Sequence, residues 1–420
     1  MLTDSARQPI SPSTFGDTAL RIGQWCAVGA LLAVPINKPA TSILLALSLL
    51  FSLLGRDARE RWSASWRNPV AKGFLVWGVV LLASSLLTPA PSIWPGSFVL
   101  VCGYPLLLGS VLRDETWGRR ALTAFAIAVT FTMLVSFGME AGLVPQRAVV
   151  AWAHNMRNTV FKEYTQQGLS VLILGCMAMA CALTERSNRR RWPLLAIATL
   201  ATANVALVLG SRTAHIALIP LVSFWAWRFS ARYASRVRAL LAALSVLVLI
   251  SLAFLSPVMK DRVVHSLPDE ASRYVEGNAP TATGIRMHLW RRTLEIIGDA
   301  PVFGHGFDQW RPAYRSTMQA HGDSEAFVAG HPHQEFLLIL AEQGVVGLMV
   351  YLALLAALVR HVWKLAQPWR DLYGCVIAIY LVAGMANCLW GDFTHRHTFV
   401  LLIACIPALM RTTTKTRGSA

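Results

Sequence analysis

Twelve stretches of apolar residues with little charge run along the chain. They fall near 20–36, 38–55, 73–89, 95–112, 119–144, 168–184, 192–210, 212–229, 238–256, 334–359, 371–391 and 397–410. Their runs of Leu, Ala, Val and Ile suit helices that satisfy their own backbone hydrogen bonds in lipid. Several are shorter than the roughly 20 residues that cross a bilayer upright, so their ends are fixed only to within a few residues. A polar interval separates the ninth stretch from the tenth, and a segment that long is expected to contain helices of its own. The pattern predicts an all-α polytopic membrane protein of about twelve transmembrane helices. Residues 1–256 hold helices one to nine, 257–333 a large helical outer loop, and 334–420 the last three helices and a tail.

Composition agrees. Of 420 residues 55% are hydrophobic and only 14% charged, against the quarter or so expected of a soluble protein. That excludes a disordered chain, a disulfide scaffold and an ordinary cytosolic enzyme. The net charge of +16 suggests nucleic acid until its distribution is read. With the N-terminus inside, 24 of the 38 basic residues lie in inner segments and only six in short outer connections. The other eight lie in the long loop, where the positive-inside rule has little force. Inner segments carry 8 acidic residues and outer ones 14, which leaves the whole excess on the inner side. It reads as a cytoplasmic retention signal facing anionic lipid, with both termini cytoplasmic. Nucleic-acid binding is not needed to explain it.

All seven cysteines lie inside apolar stretches, so no disulfide framework is expected to hold the outer loop. Residues 1–18 include Asp4 and Asp17 without a clear signal-peptide core, and the first helix is expected to direct insertion. Ten of the eleven histidines lie on the outer side, which marks it as the chemical side; only His361 is inside.

Two outer segments are long enough to build a site. The first, Pro145–Gln167, holds Arg147, His154, Arg157 and Lys162 among the aromatics Trp152, Phe161 and Tyr164. In the second, Thr283 is expected to cap a helix through Ile285, Leu289 and Ile296 that ends at Gly298 and Pro301. Arg286 and Trp290 then share one face. In Pro301-Val-Phe-Gly304-His305-Gly306-Phe307 the glycines permit close backbone approach, but a phosphate loop's lysine and helix context are missing. Asp323-Ser-Glu325 reads as a solvated turn, and Glu342 as lying near the outer interface.

His331-Pro332-His333-Gln334 comes next. Pro332 suits the first turn of the tenth helix, whose positive end would keep His333 neutral and able to accept a proton. A histidine that merely caps an interfacial helix fits equally. A zinc site at His331 and His333 has no acidic or cysteine partner at useful spacing. Arg212 stands in a very short outer turn, Leu209-Gly-Ser-Arg-Thr-Ala-His215. At that depth an arginine either snorkels to headgroups or meets an anion such as a phosphate.

These residues resemble a known family. Arg212 followed by Ile216 looks like the Arg-x3-Leu element of bacterial O-antigen ligases, with Ile in place of Leu. His333-Gln334, nine residues, then Gly344-Val-Val-Gly347 is similar to that family's His-[Asn/Ser/Gln]-x9-Gly-x-x-[Gly/Thr/Tyr] pattern. Arg286, Trp290 and Pro301-x-x-Gly304-x-Gly306 look like the wider superfamily shared with O-antigen polymerases and protein O-oligosaccharyltransferases.

The resemblance implies a GT-C-like enzyme of the bacterial inner membrane with a periplasmic site. It would move a polysaccharide from undecaprenyl diphosphate to lipid A-core, without metal or cofactor. By motif match it implies Arg212 and His333 as catalytic residues. Location and charge, rather than the family pattern, suggest Arg147, Arg157, Lys162, Arg286, His331 and His215 as substrate-binding. A diphosphate leaving group needs charge stabilisation, and a sugar hydroxyl needs a base such as neutral histidine.

A polymerase and a protein O-glycosylating enzyme are the nearest alternatives, and neither spans nor charge separates them from a ligase. A lipid-linked glycan transporter would need ionisable groups along a path, and the apolar stretches nearly lack them. A metal-dependent lipid-phosphate-sugar transferase would need an acidic pair in the first outer loop, where 35–41 has Lys38 and no acid. Oligomeric state is not legible.

Overall fold

The computed structural model describes residues 12–86, 96–146, 157–231, 233–255 and 266–410. Every regular element among them is helical. The first ten helices are α1 (Pro12–Ala33), α2 (Lys38–Leu54), α3 (Ala58–Trp66), α4 (Pro69–Leu86), α5 (Gly96–Val111), α6 (Glu115–Glu140), α7 (Tyr164–Thr184), α8 (Asn188–Ala203), α9 (Arg212–Phe229) and α10 (Ser235–Leu255). A π turn, Asn204–Val208, extends α8. Then come α11 (Ser266–Gly277), α12 (Ala282–Asp299), α13 (Trp310–His321), α14 (Glu335–Val362), α15 (Trp369–Gly384), α16 (Phe393–Ile403) and α17 (Ile406–Met410).

Within the described residues each of the twelve apolar stretches lies mainly on helix, although 371–391 leaves it at Gly384, and local chemistry sets several starts. The side chains of Asn37, Asp114 and Ser211 accept from backbone N–H groups in the first turns of α2, α6 and α9. Among the described residues, six helices are long and apolar enough to cross a membrane: α4, α6, α7, α8 with its π turn, α14, and α16 with α17. Counting α2 and α3, bent by 117°, as one broken span gives seven.

Outward faces carry apolar rows at helical spacing: Ile43, Leu47, Leu50 and Leu54 on α2, Ile127, Phe131 and Leu134 on α6, and Leu240, Leu244 and Leu247 on α10. In water each would forgo about 1.5–3 kcal/mol of burial, a loss that a hydrocarbon surround removes. The chain is a multi-pass helical membrane protein. Inside, Gly168 lies against Ala214 and Gly175 against Ala201, close approaches that join α7 to α9 and α8.

Residues 266–334 carry three helices and a short 3-10 turn, around a small core of their own. Tyr274, Leu289, Ile296, Trp310, Tyr314, Met318 and Phe327 meet Ala341 from α14 there. Three local expectations are corrected. Thr281, not Thr283, caps α12 by accepting from Gly284 N–H, while Thr283 lies in the first turn. Asp323 is no solvated turn: it grips Arg292 through two bonds of 2.7 and 2.8 Å and meets His288 Nε2 at 3.1 Å. Two basic groups on α12 recruit it, which spacing alone does not reveal. Pro332 lies before α14 rather than in its first turn, because Gln334 is the cap and accepts from Leu337 N–H.

The most consequential feature is a break in α14 at Gly344, where φ is 65° and ψ −167°. The Pro301–Phe307 turn docks into this break. Ala341 and Glu342 carbonyls, which would bond Val345 and Val346 N–H in an intact helix, accept instead from His305 and Gly306 N–H at 2.9 and 2.8 Å. Val345 and Val346 N–H donate to the Pro301 and Val302 carbonyls at 2.9 and 3.2 Å. The close approach expected of the glycines is made to α14. A Cβ at Gly344 would overlap the Val302 backbone, and one at Gly304 the backbone of Glu342 and Gln343. Glu342 accepts from the backbone at Asp308 and Trp310, the approach to α13, so its carboxylate fastens the loop segment to α14.

Candidate active site

Arg212 opens α9 and is 9% exposed. Its Nη2 and Nη1 donate to the two oxygens of Glu270 on α11, at 3.0 and 3.2 Å. Ser266 and Thr283 hydroxyls accept from it at 3.1 and 3.3 Å. The anion it meets belongs to its own chain. Burial pushes the Glu270 carboxyl up, but bonds from Arg212 and Thr283 outweigh this and hold it below its ordinary value.

Arg286, one turn into α12, lies beside this pair. Arg212, Tyr164 and Glu270 are its charge neighbours, and burial followed by Arg212 pulls its pKa down. Among the described residues it makes no hydrogen bond or ion pair. A guanidinium so placed, half-buried with its donors unspent, suits an anionic ligand.

Trp290, one turn further along α12, donates from Nε1 to the Pro332 carbonyl at 3.0 Å. This fixes the histidine segment to the helix that carries Arg286. His333 sits at φ 53°, a left-handed conformation costly for a residue with a Cβ. Its backbone N–H donates to His331 Nδ1 at 3.3 Å, and the two rings lie 4.3 Å apart at 69°. Burial, then His331 and Arg286, push the His333 pKa down to about 4, against a smaller upward pull from Asn387. These causes push in the same direction as the positive end of α14. His331 is lowered too, by burial first, with Asp392 opposing.

Lys162 is 5% exposed. Burial and then Lys38 bring it down to about 8, with Asp392 opposing. Asp392 accepts from Gln166 Nε2 at 2.7 Å and caps α16 through His395 N–H at 2.9 Å. Arg212, Arg286, Tyr164, His331, His333, Asp392 and Lys162 are thus linked by mutual contact or charge.

Other candidates are placed differently. Arg157 is exposed and paired with Glu140 at 3.2 Å. His215 is buried, with Nε2 2.8 Å from the Val205 carbonyl in the π turn. Arg147 and His154 fall outside the described residues. Sequence reasoning missed Glu270, Asp392 and Asn387. Only Asn387 left a signal, as an amide inside the apolar 371–391 stretch. Among the described residues no three His, Cys, Asp or Glu side chains gather to hold a metal.

Residues 197–352 match the family model described as O-antigen ligase, which places this stretch in the O-antigen ligase and polymerase superfamily. The matched stretch contains Arg212, Glu270, Arg286, His331, His333 and the Gly304–Gly344 junction. Members of this family are glycosyltransferase-like ligases and polymerases. No curated protein matches the chain.

Proposed function

We propose that this protein is an O-antigen ligase of the bacterial inner membrane. It transfers a polysaccharide from undecaprenyl diphosphate to a sugar hydroxyl of lipid A-core at a periplasmic site, in a GT-C-like frame of twelve spans. The observation that carries the reading is the proximity of His333, neutral and with Nε2 unbonded, to the guanidinium of Arg286, itself without a partner, both among the described residues.

The chemistry follows from these groups. The acceptor hydroxyl oxygen attacks the anomeric carbon and its proton passes to His333 Nε2. The bond from that carbon to the diphosphate breaks, and its electron pair leaves on the phosphate oxygen. Arg286 and Lys162 hold the developing charge, with Arg212 behind them once Glu270 yields or shares it. Fixed donors in a water-poor site need no reorganisation as charge develops. General-base assistance contributes about 10²–10⁴-fold. One displacement inverts the anomeric configuration, and no step calls on a metal.

The test is transfer in vitro from undecaprenyl-diphosphate glycan to lipid A-core with EDTA present, wild type against His333→Ala. Product from wild type alone, with inverted linkage, supports the reading. Chain growth on the lipid-linked donor without transfer to lipid A-core moves the protein to the polymerases. Transfer to a protein hydroxyl moves it to the O-oligosaccharyltransferases, and retained configuration overturns the mechanism.

A further inference from the structure

His333 has a partner that the family motifs do not include. Asn387 lies in the turn between α15 and α16, and its Oδ1 stands 3.4 Å from His333 Nδ1. The same oxygen accepts from Cys388 N–H at 2.9 Å. A backbone N–H only donates, so the Asn387 atom facing it is the oxygen, and the His333 Nδ1 facing that oxygen carries a proton. His331 is the opposite case. Its Nδ1 accepts from His333 N–H and is bare, so the neutral ring carries its proton on Nε2. Two adjacent imidazoles are thus held in opposite tautomers.

The turn bearing Asn387 is itself tied to the histidine segment. Glu335, two residues after His333 and 2% exposed, accepts from Leu389 and Trp390 N–H, the latter at 3.0 Å. A Cβ added at Gly384, just before the turn, would come into van der Waals contact with the Glu335 Cβ, so the two segments pack closely. His333 and Asn387 are therefore set against each other by the carboxylate between them.

We infer that Asn387 is a positioning residue that holds His333 as the Nδ1–H tautomer and so presents a bare Nε2 to the acceptor hydroxyl. This rests on His333 being the base. In the transfer step Nε2 gains the hydroxyl proton while Nδ1 keeps its own, so the ring becomes imidazolium with its charge facing the Asn387 oxygen. A backbone-like acceptor in that place orients the ring without itself titrating. The ionisable groups facing His333 are His331 and Arg286.

Two variants and one spectrum test it. Asn387→Ala removes the acceptor: kcat falls by about tenfold or more, within the range of general-base assistance, with donor and acceptor KM unchanged. Asn387→Asp keeps an acceptor oxygen and adds a charge that favours imidazolium. It restores kcat above neutrality but moves the acid limb of the pH profile upward, a signature no packing defect produces. Solid-state 15N spectra of histidine-labelled protein in liposomes, assigned by loss of the signal in His333→Gln, show His333 protonated at Nδ1 in wild type and mixed in Asn387→Ala. An Nε2–H tautomer in wild type, or a tautomer and kcat unmoved in Asn387→Ala, overturns the inference. Transfer that survives His333→Ala overturns the base reading instead. Transfer lost in His333→Ala but indifferent to Asn387 overturns the positioning role alone.

Discussion

Arg212 and Glu270 face each other fork to fork, 58 residues apart in the chain, through bonds of 3.0 and 3.2 Å between side chains only 10% and 17% exposed. The pair closes α11 over the start of α9. It also means that Arg212 already holds a carboxylate, whereas Arg286 beside it makes no hydrogen bond or ion pair among the described residues. Under the proposed function, a donor diphosphate would meet Arg286 first and compete with Glu270 for Arg212.

The pair sets a pH window for stability. Glu270 is held below its ordinary carboxyl value, so the folded form binds its proton less tightly than the unfolded form. Its contribution is present above the unfolded pKa of about 4.3 and is lost as pH falls through the lower folded value. Glu270→Gln is expected to cost about 1.5–3 kcal/mol at neutral pH, the worth of a charged hydrogen bond. The deficit should shrink as pH approaches 3. Thermal unfolding in detergent across pH 3–7 reads it, and a deficit independent of pH would contradict the pair's role.

Gly344 and Gly304 should tolerate no side chain. Gly344→Ala combines a positive φ, costing about 1–3 kcal/mol, with overlap against the Val302 backbone. The expected result is a shifted or unfolded loop segment and loss of folded yield. Gly298 in α12, with nothing within 4 Å of a built Cβ, is the control. There Gly298→Ala should be neutral or stabilise by up to about 1 kcal/mol. Size-exclusion yield and melting temperature of the two variants decide it.

The acid limb of kcat/KM should report His333 in the free protein. Its pKa is about 4, so the base form persists down to that pH and His333 causes no loss of rate between pH 8 and 5. Arg286 is one cause of the depression. Arg286→Gln should therefore raise the limb toward the ordinary value of about 6.5 while weakening donor binding. A wild-type limb already near 6.5 would show that His333 is far less buried in the working protein.

Much of this was legible because it is local. Apolar runs marked the helices, and the joint appearance of Arg212, Arg286, Trp290, His333 and the paired glycines marked a candidate site by motif. What stayed hidden depends on partners distant in sequence. Thr281 and Thr283 look alike as caps until α12 is placed. Asp323 in a polar turn gives no hint of Arg292, 31 residues earlier. Gly344 stands in a motif, but nothing local shows that the helix breaks there, because the distant Pro301 turn supplies the hydrogen bonds that the break removes. Charge located candidates without ranking them, since Arg157 and Lys162 differ only in burial and partners.

That difference gives the sharpest test of which cations serve the proposed donor. Arg157 is exposed and paired with Glu140 across solvent, an arrangement worth about 0–1 kcal/mol. Lys162 is buried, pushed down to about 8, and faces Asp392, which also neighbours His331. Arg157→Gln should leave donor KM within about twofold. Lys162→Gln removes a charged donor from a desolvated site and should raise donor KM by about 10- to 100-fold, matching a lost charged hydrogen bond of about 1.5–3 kcal/mol. Because the Lys162 ammonium loses its proton near pH 8, wild-type donor KM should itself rise above that pH. The same rise should be missing in Lys162→Gln. Steady-state kinetics on the lipid-diphosphate glycan at pH 6.5 and 9 reads both effects, and equal sensitivity of the two positions would return the anion site to Arg212 and Arg286 alone.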